Sequence, residues 1–269
     1  MTKILKNAYM ALILLFLYAP ILIMIVLSFN AGRSRAKWGG FTFSRYVTLF
    51  SNEDIMTALL NTLLLAVFSS LIATVIGTIA ALAMSKMRNI MRTTMIGITN
   101  IPMLNAEIVT GISLMLLFVT LGIRLGFGTM LIAHITFNIP YVILSVLPRI
   151  RQLNPSTYEA ALDLGAPPVK AFRKVVLPDL APGIFSGMLM AFTMSIDDFI
   201  ITYFTQGAGV HTLSTKIYAS VRKGIQPEMY SLSTLIFVVV LLLLLSINLV
   251  DVIGNKKQAK ITNKRGEKK

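Results

Sequence analysis

Long apolar runs separated by short polar segments dominate this chain. A helix that spans a bilayer needs about 20 mainly apolar residues. Six stretches meet that length: Ala8 to Phe29, Asn61 to Met84, about Met95 to Leu121, about Gly128 to Leu147, about Gly183 to Tyr203, and Leu232 to Ile253. Pro20 falls inside the first, which membrane helices tolerate because neighbouring groups re-satisfy the freed backbone. The second carries no charge. The pattern predicts an all-α polytopic membrane protein with six transmembrane helices. Lys3 and Lys6 ahead of the first run also fit a cleaved signal peptide. That run is too long for a typical signal core, and no A-x-A site follows it.

Composition agrees with lipid as the solvent. The chain is 55% hydrophobic and only 13% charged, against roughly 25% charged for a soluble domain. There is no Cys, which excludes a disulfide framework, a Cys-ligated metal site and thiol chemistry. His134 and His211 are far apart, and no HExxH spacing exists.

The net charge of +14 fits nucleic-acid binding, membrane-surface binding or the positive-inside bias of a spanning protein. The positions of the charges decide among them. With an even number of spans both termini share a side. If that side is cytoplasmic, the inner segments hold 17 Lys and Arg and the outer segments 8, accounting for all 25. Basic residues concentrate on the cytoplasmic side of membrane proteins, so both termini are expected inside. The basic tail, residues 254–269, reads as a topology anchor near anionic lipid, with nucleic-acid binding the sharper and weaker alternative.

One connection stands out. Residues 149–182 form a loop of roughly 30 residues expected on the cytoplasmic face. Asn154 is a good N-cap, Pro155 suits the first helical position, and Gly165 is a natural stop. A helix of about ten residues is expected here. Pro167-Pro168 blocks its continuation. A second helical piece, Val169 to about Val176, is expected to stop before Leu177-Pro178. A compact loop of this kind is either a docking element or an inert linker.

Glu159-Ala160-Ala161, Gly165 after three residues and Val175-Val176-Leu177-Pro178 after nine more resemble the EAA loop of ABC-importer permeases. That pattern ends in Ile-x-Leu-Pro, so Val175 stands at the Ile position. Pro168 stands where many members carry an aromatic residue. The resemblance covers about Asn61 to Asp251. It implies a MetI-like permease core over residues 61–253, preceded by residues 1–60 with the first span and outer loop. It also implies a bacterial inner-membrane location. In the family the loop forms a coupling helix that docks on a cytoplasmic ATPase dimer. The matching positions here are Glu159, Ala160, Ala161 and Gly165. No G-x-x-x-x-G-K-[ST] is present. ATP is therefore expected on a separate subunit, with no cofactor and no enzymatic activity on this chain. A second permease subunit and an extracytoplasmic binding protein complete the implied assembly.

Acidic residues inside spans are functional candidates by default. Glu107, Asp197 and Asp198 are the ones here, and no Lys or Arg lies within a span core. Such a pathway favours cations. Asp197 and Asp198 lie about 21 Å along the fifth span at 1.5 Å per residue. As neighbours they point about 100° apart. They share one site only if the helix is irregular there; otherwise one contacts substrate and the other a structural partner. Tyr141, Phe199 and Tyr203 are candidates for cation–π contacts, with packing as the ordinary alternative.

Within the family, the chain resembles polyamine permeases. Leu17-Tyr18-Ala19-Pro20-Ile21, Ser28-Phe29-Asn30, Trp38, Phe41-Thr42-Phe43 and Tyr46 carry part of this likeness. Phe192-Thr193-Met194-Ser195-Ile196-Asp197-Asp198-Phe199 carries more. The resemblance implies spermidine or putrescine as cargo, with another cationic or polar solute as the alternative. An intramembrane enzyme lacks a catalytic signature around His134. A stand-alone cation channel or secondary transporter leaves the long loop unexplained.

Overall fold

A computed structural model describes residues 3–32, 37–223 and 228–242. Every regular element among them is a helix. In chain order these are α1 (Lys3–Ser28), α2 (Ser44–Ser51), α3 (Glu53–Lys86), α4 (Asn89–Leu104), α5 (Glu107–Thr120), α6 (Phe127–Gln152), α7 (Pro155–Asp163) and α8 (Pro168–Ala171). A π-helical turn, Phe172–Val176, follows, then α9 (Leu177–Asp197), α10 (Ile200–Thr205) and α11 (Leu213–Lys223). The last, α12, covers Glu228–Leu242. The sixth expected span is thus described only to residue 242. Its remainder, Asp251 and the basic tail lie outside the described residues.

Four elements are long and apolar enough to cross a membrane, or five if the bent pair α4 and α5 counts as one span. The first, second and fourth expected spans are recovered as α1, α3 and α6. Pro20, Pro140 and Pro148 are all accommodated inside helices.

The third expected span is corrected. It is not one helix: α4 ends at Leu104, α5 begins at Glu107, and the two are bent by 99°. Asn105 and Ala106 between them are extended, with ψ of 149° and 133°. Hydropathy stays high across the break because the residues on either side are apolar. Glu107 accordingly sits at a helix start, not within a helix.

The fifth span is corrected at both ends. The expected stop before Leu177-Pro178 does not occur, because α8, the π turn and α9 run together as Pro168–Asp197. Proline lacks an N–H and clashes with the carbonyl four residues earlier. Here Leu177 N–H reaches back five residues to the Phe172 carbonyl, and the wider π turn makes room for the Pro178 ring. At the other end α9 stops at Asp197, Asp198 is extended (ψ 126°), and α10 is separate.

The chain forms two compact units. One comprises the described residues of 1–56 together with those of 217–269. In it the Ser28 hydroxyl bonds the Tyr46 hydroxyl at 2.7 Å, and Ser231 donates to the Ser28 carbonyl at 3.2 Å. Asn30 Oδ1 accepts from Gly32 N–H at 3.0 Å and Gly39 N–H at 2.7 Å, which ties together the two sides of the loop after α1. Phe29, Phe41, Phe43 and Tyr46 stack beside it.

The other unit, Thr57–Lys216, carries the candidate chemistry. Small residues bring its helices together, as in other membrane bundles. A Cβ on Gly77 of α3 would stand 2.8 Å from the Val142 side chain, and one on Gly187 of α9 3.1 Å from Val142 Cα. Both helices thus close on the same residue of α6. Ala73, Ala81, Ile143, Val146 and Ala191 complete this core.

Gly207 is under the tightest constraint. A Cβ there would lie 2.1 Å from the Leu125 carbonyl oxygen, which is backbone and has no rotamer to move. Gly207→Ala is expected to cost about 3 kcal/mol, the upper part of the usual overpacking range. Thermal unfolding of the purified protein in detergent measures this. An unchanged melting temperature would show that the loop shifts freely.

Candidate functional site

Two breaks in the helical frame lie together. α5 packs on α10 at Gly111, where a Cβ would stand 3.1 Å from the Phe204 ring and 3.5 Å from Ile200 O and Ile201 Cα. Glu107 lies one helical turn before Gly111 on the same side of α5. It comes within electrostatic reach of Asp197, Asp198 and Tyr141. Polar candidates from α6 and from the end of α9 thus lie within electrostatic range of the start of α5.

The two adjacent acids have different situations. Asp198 is buried, at 9% exposure. Its Oδ1 accepts from Ile201 N–H at 3.2 Å and its Oδ2 from Thr202 N–H at 2.8 Å. A carboxylate that satisfies the first free N–H groups of a helix is N-cap chemistry. Oδ2 also lies 3.4 Å from His134 Nε2, which in turn bonds Thr202 Oγ1 at 2.9 Å. The Asp198 carbonyl accepts from Ser214 Oγ at 2.8 Å. This side chain starts α10 and ties it to α6. Asp197, the last residue of α9, is exposed, as is Glu107. The backbone is irregular at Asp198, and the two neighbouring carboxylates sit in different surroundings, one buried and one exposed.

A buried polar junction joins three spans nearby. Asn138 Nδ2 donates to Ser195 Oγ at 2.7 Å, and Ser195 Oγ bonds Ser69 Oγ at 2.8 Å. These residues come from α6, α9 and α3. His134 and Asn138 are four residues apart, so α6 presents both on one face. Sequence reading weighed His134 only as a catalytic candidate and passed over Asn138. The available signal was a polar pair at helical spacing inside an apolar run.

The aromatic candidates are placed differently. Tyr141 is half-buried and meets Phe137 edge-on, with centroids 5.3 Å apart. It packs on the cluster of Phe118, Ala133 and Ile201. Phe199 and Tyr203 pair at 5.4 Å along α10, and Tyr203 is exposed.

The loop at 149–182 folds as its residues dictate. Asn154 Oδ1 accepts from Ser156 N–H at 3.1 Å and Pro155 opens α7. At the other end Ala166 N–H bonds Ala161 O at 3.1 Å and Gly165 N–H bonds Leu162 O at 2.8 Å. That pair of bonds is the Schellman motif. It requires the left-handed conformation that Gly165 adopts at φ +80°. Glu159 and Ala160 are exposed on α7, and Ala161 is half-buried. Two further residues were not anticipated: Leu164 is 88% exposed and Val169 72% exposed, flanking the turn. Periodicity could not find them, because Leu164 lies past the end of α7 and Val169 sits in the four-residue α8, too short to show a period.

Comparison with known proteins follows these features. Residues 73–258 match the family model described as "Binding-protein-dependent transport system inner membrane component". The chain belongs to this family of MetI-like permeases, and it is a multi-pass membrane protein. It is 37% identical over 248 residues to the spermidine/putrescine transport system permease protein PotC of Escherichia coli (strain K12), covering 92% of this chain and 94% of that protein. It is also 37% identical over 228 residues to the putrescine transport system permease protein PotI of the same organism, covering 82% of this chain and 81% of that protein. Among solved structures, a bacterial ABC transporter involved in the import of the acidic polysaccharide alginate shares the fold. The TM-score is 0.69 at 19% identity, over 91% of this chain and 92% of that one. A fold shared at that identity leaves cargo to be argued from site residues.

Proposed function

We propose that this chain is a permease subunit of an ATP-driven importer that passes polyamines to the cytoplasm. The observation that carries the cargo is similarity to spermidine/putrescine and putrescine permeases over most of the chain. The site chemistry agrees with it. Asp197 and Glu107 are exposed acids gathered from two helix breaks, and no Lys or Arg stands within a span core to neutralise them. A linear polyamine carries separated ammonium groups that separated carboxylates receive as charge-assisted hydrogen bonds. Tyr203 supplies an exposed ring face on α10.

The chain would act with a second permease subunit, an ABC ATPase dimer and an extracytoplasmic binding protein. Six spans with both termini cytoplasmic suit the Lys/Arg distribution. That orientation puts α7 on the ATPase side. Glu159 and Ala160 on its exposed face would seat in the ATPase. ATP-driven movement of the partner would then be passed to α6 and α9 as a rigid-body shift of the alternating-access type.

The test is uptake of labelled spermidine by cells expressing the chain with and without its genomically adjacent ATPase. Uptake is expected only with the ATPase. Uptake that persists without it would remove the importer reading. Uptake of a neutral sugar in preference to spermidine would remove the polyamine reading alone.

A further inference from the structure

A cavity of about 740 Å³ lies beside the coupling segment, away from the acids of the helix breaks. That volume is within the range of small-molecule sites, about 300–1,000 Å³. The ends of α3 and α6, the start of α4, α7, the π turn and the start of α9 enclose it. Its apolar wall includes Leu82, Leu147, Ile150, Phe172 and Val175. The π turn contributes three of its lining residues, Phe172, Val175 and Val176, and such turns recur at functional sites.

The charges in this cavity are divided. Lys86, Arg92 and Arg151 come from α3, α4 and α6, while Glu159 and Asp179 come from α7 and α9. Among the described residues no ion pair within 4.0 Å joins any of them. Arg92 bonds Asn89 at 3.0 Å. Opposite charges that line one cavity without meeting suit a ligand that carries both signs. The apolar wall asks that the ligand also carry hydrocarbon. Lys86 and Arg151 stand at the ends of spanning helices, the depth at which phospholipid headgroups lie and basic residues meet them.

We infer that this cavity binds an aminophospholipid, with the phosphate toward Lys86, Arg92 and Arg151 and the primary ammonium toward Asp179. Three chemistries are thereby distinguished. A phosphatidylglycerol satisfies the cations and leaves the carboxylates without a cation. A phosphatidylcholine has both charges but no N–H to donate. A soluble aminoalkyl phosphate has both charges but nothing for the apolar wall.

The experiment is native mass spectrometry of the purified full-length protein in mild detergent. It is run with equal amounts of phosphatidylethanolamine, phosphatidylglycerol and phosphatidylcholine. Phosphatidylethanolamine is expected to be retained in preference to both. Lys86→Gln is expected to lower its retention about fivefold, the worth of one cation near a headgroup. Asp179→Asn is expected to reduce the preference over phosphatidylglycerol. Both side chains are exposed, so the fold should survive, and circular dichroism of each variant checks this. Equal retention of the three lipids, or a preference untouched by both substitutions, would overturn the proposal. Displacement of the lipid by soluble phosphoethanolamine at equal concentration would overturn the lipid as the source.

Discussion

Asp198→Ala is expected to remove most transport and much of the folded protein, whereas Asp197→Asn should lower transport without lowering abundance. The difference follows from what each carboxylate does. Asp198 holds the N–H groups of Ile201 and Thr202 and faces His134. Its loss leaves those buried groups without an acceptor. Breaking a buried pair by removing one partner costs about 3–5 kcal/mol, a large share of the 5–15 kcal/mol that stabilises a typical domain. Asp198→Asn keeps one oxygen for the α10 amides, so it should fall between. Asp197 is exposed at the end of α9, and its substitution should act on cargo alone. Membrane-fraction abundance, thermal unfolding and labelled spermidine uptake are measured together. An Asp198→Ala protein that melts like the parent would refute the capping role.

Leu164→Asp should abolish uptake while leaving the chain as stable as before. Leu164 is 88% exposed and follows directly on α7, so little within the chain depends on it. If it is covered by the ATPase, burying a leucine contributes about 1.5–3 kcal/mol, which is about 10- to 100-fold in affinity. An aspartate there would add the cost of burying a charge. Co-purification of the ATPase with the variant, compared with the parent, reads the effect directly. Normal co-purification with normal uptake would place the docking surface elsewhere on the loop.

These two experiments separate roles that residue type alone leaves merged. Two adjacent aspartates read identically along the chain, and only the break at Asp198 turns one inward as a helix cap. The fold class and most of the helical frame were legible because burial in lipid imposes uninterrupted apolar length. The first helix of the 149–182 loop was legible because its signals are local: an N-cap at Asn154, a proline at 155, a left-handed glycine at 165. The two helix breaks were not. Both breaks coincide with polar residues, Asn105 and Glu107 in one and Asp197 and Asp198 in the other, but the long apolar runs on either side keep each stretch reading as one span. The π turn at Phe172–Val176 was likewise hidden, since Pro178 reads as a stop.

The sequence by itself therefore determined that this is an all-helical membrane permease, and where the short helix of its 149–182 loop starts and stops. These follow from the solvent each residue requires and from backbone conformations set by near neighbours. Only the tertiary structure decided that Glu107 from α5 approaches Asp197 from α9, that Asp198 belongs to α10 and His134, and that α6 joins Ser69 to Ser195 through Asn138. Those pairings join residues tens of positions apart. They depend on which helix faces pack together, and on small residues such as Gly77, Gly111 and Gly187 that permit the approach.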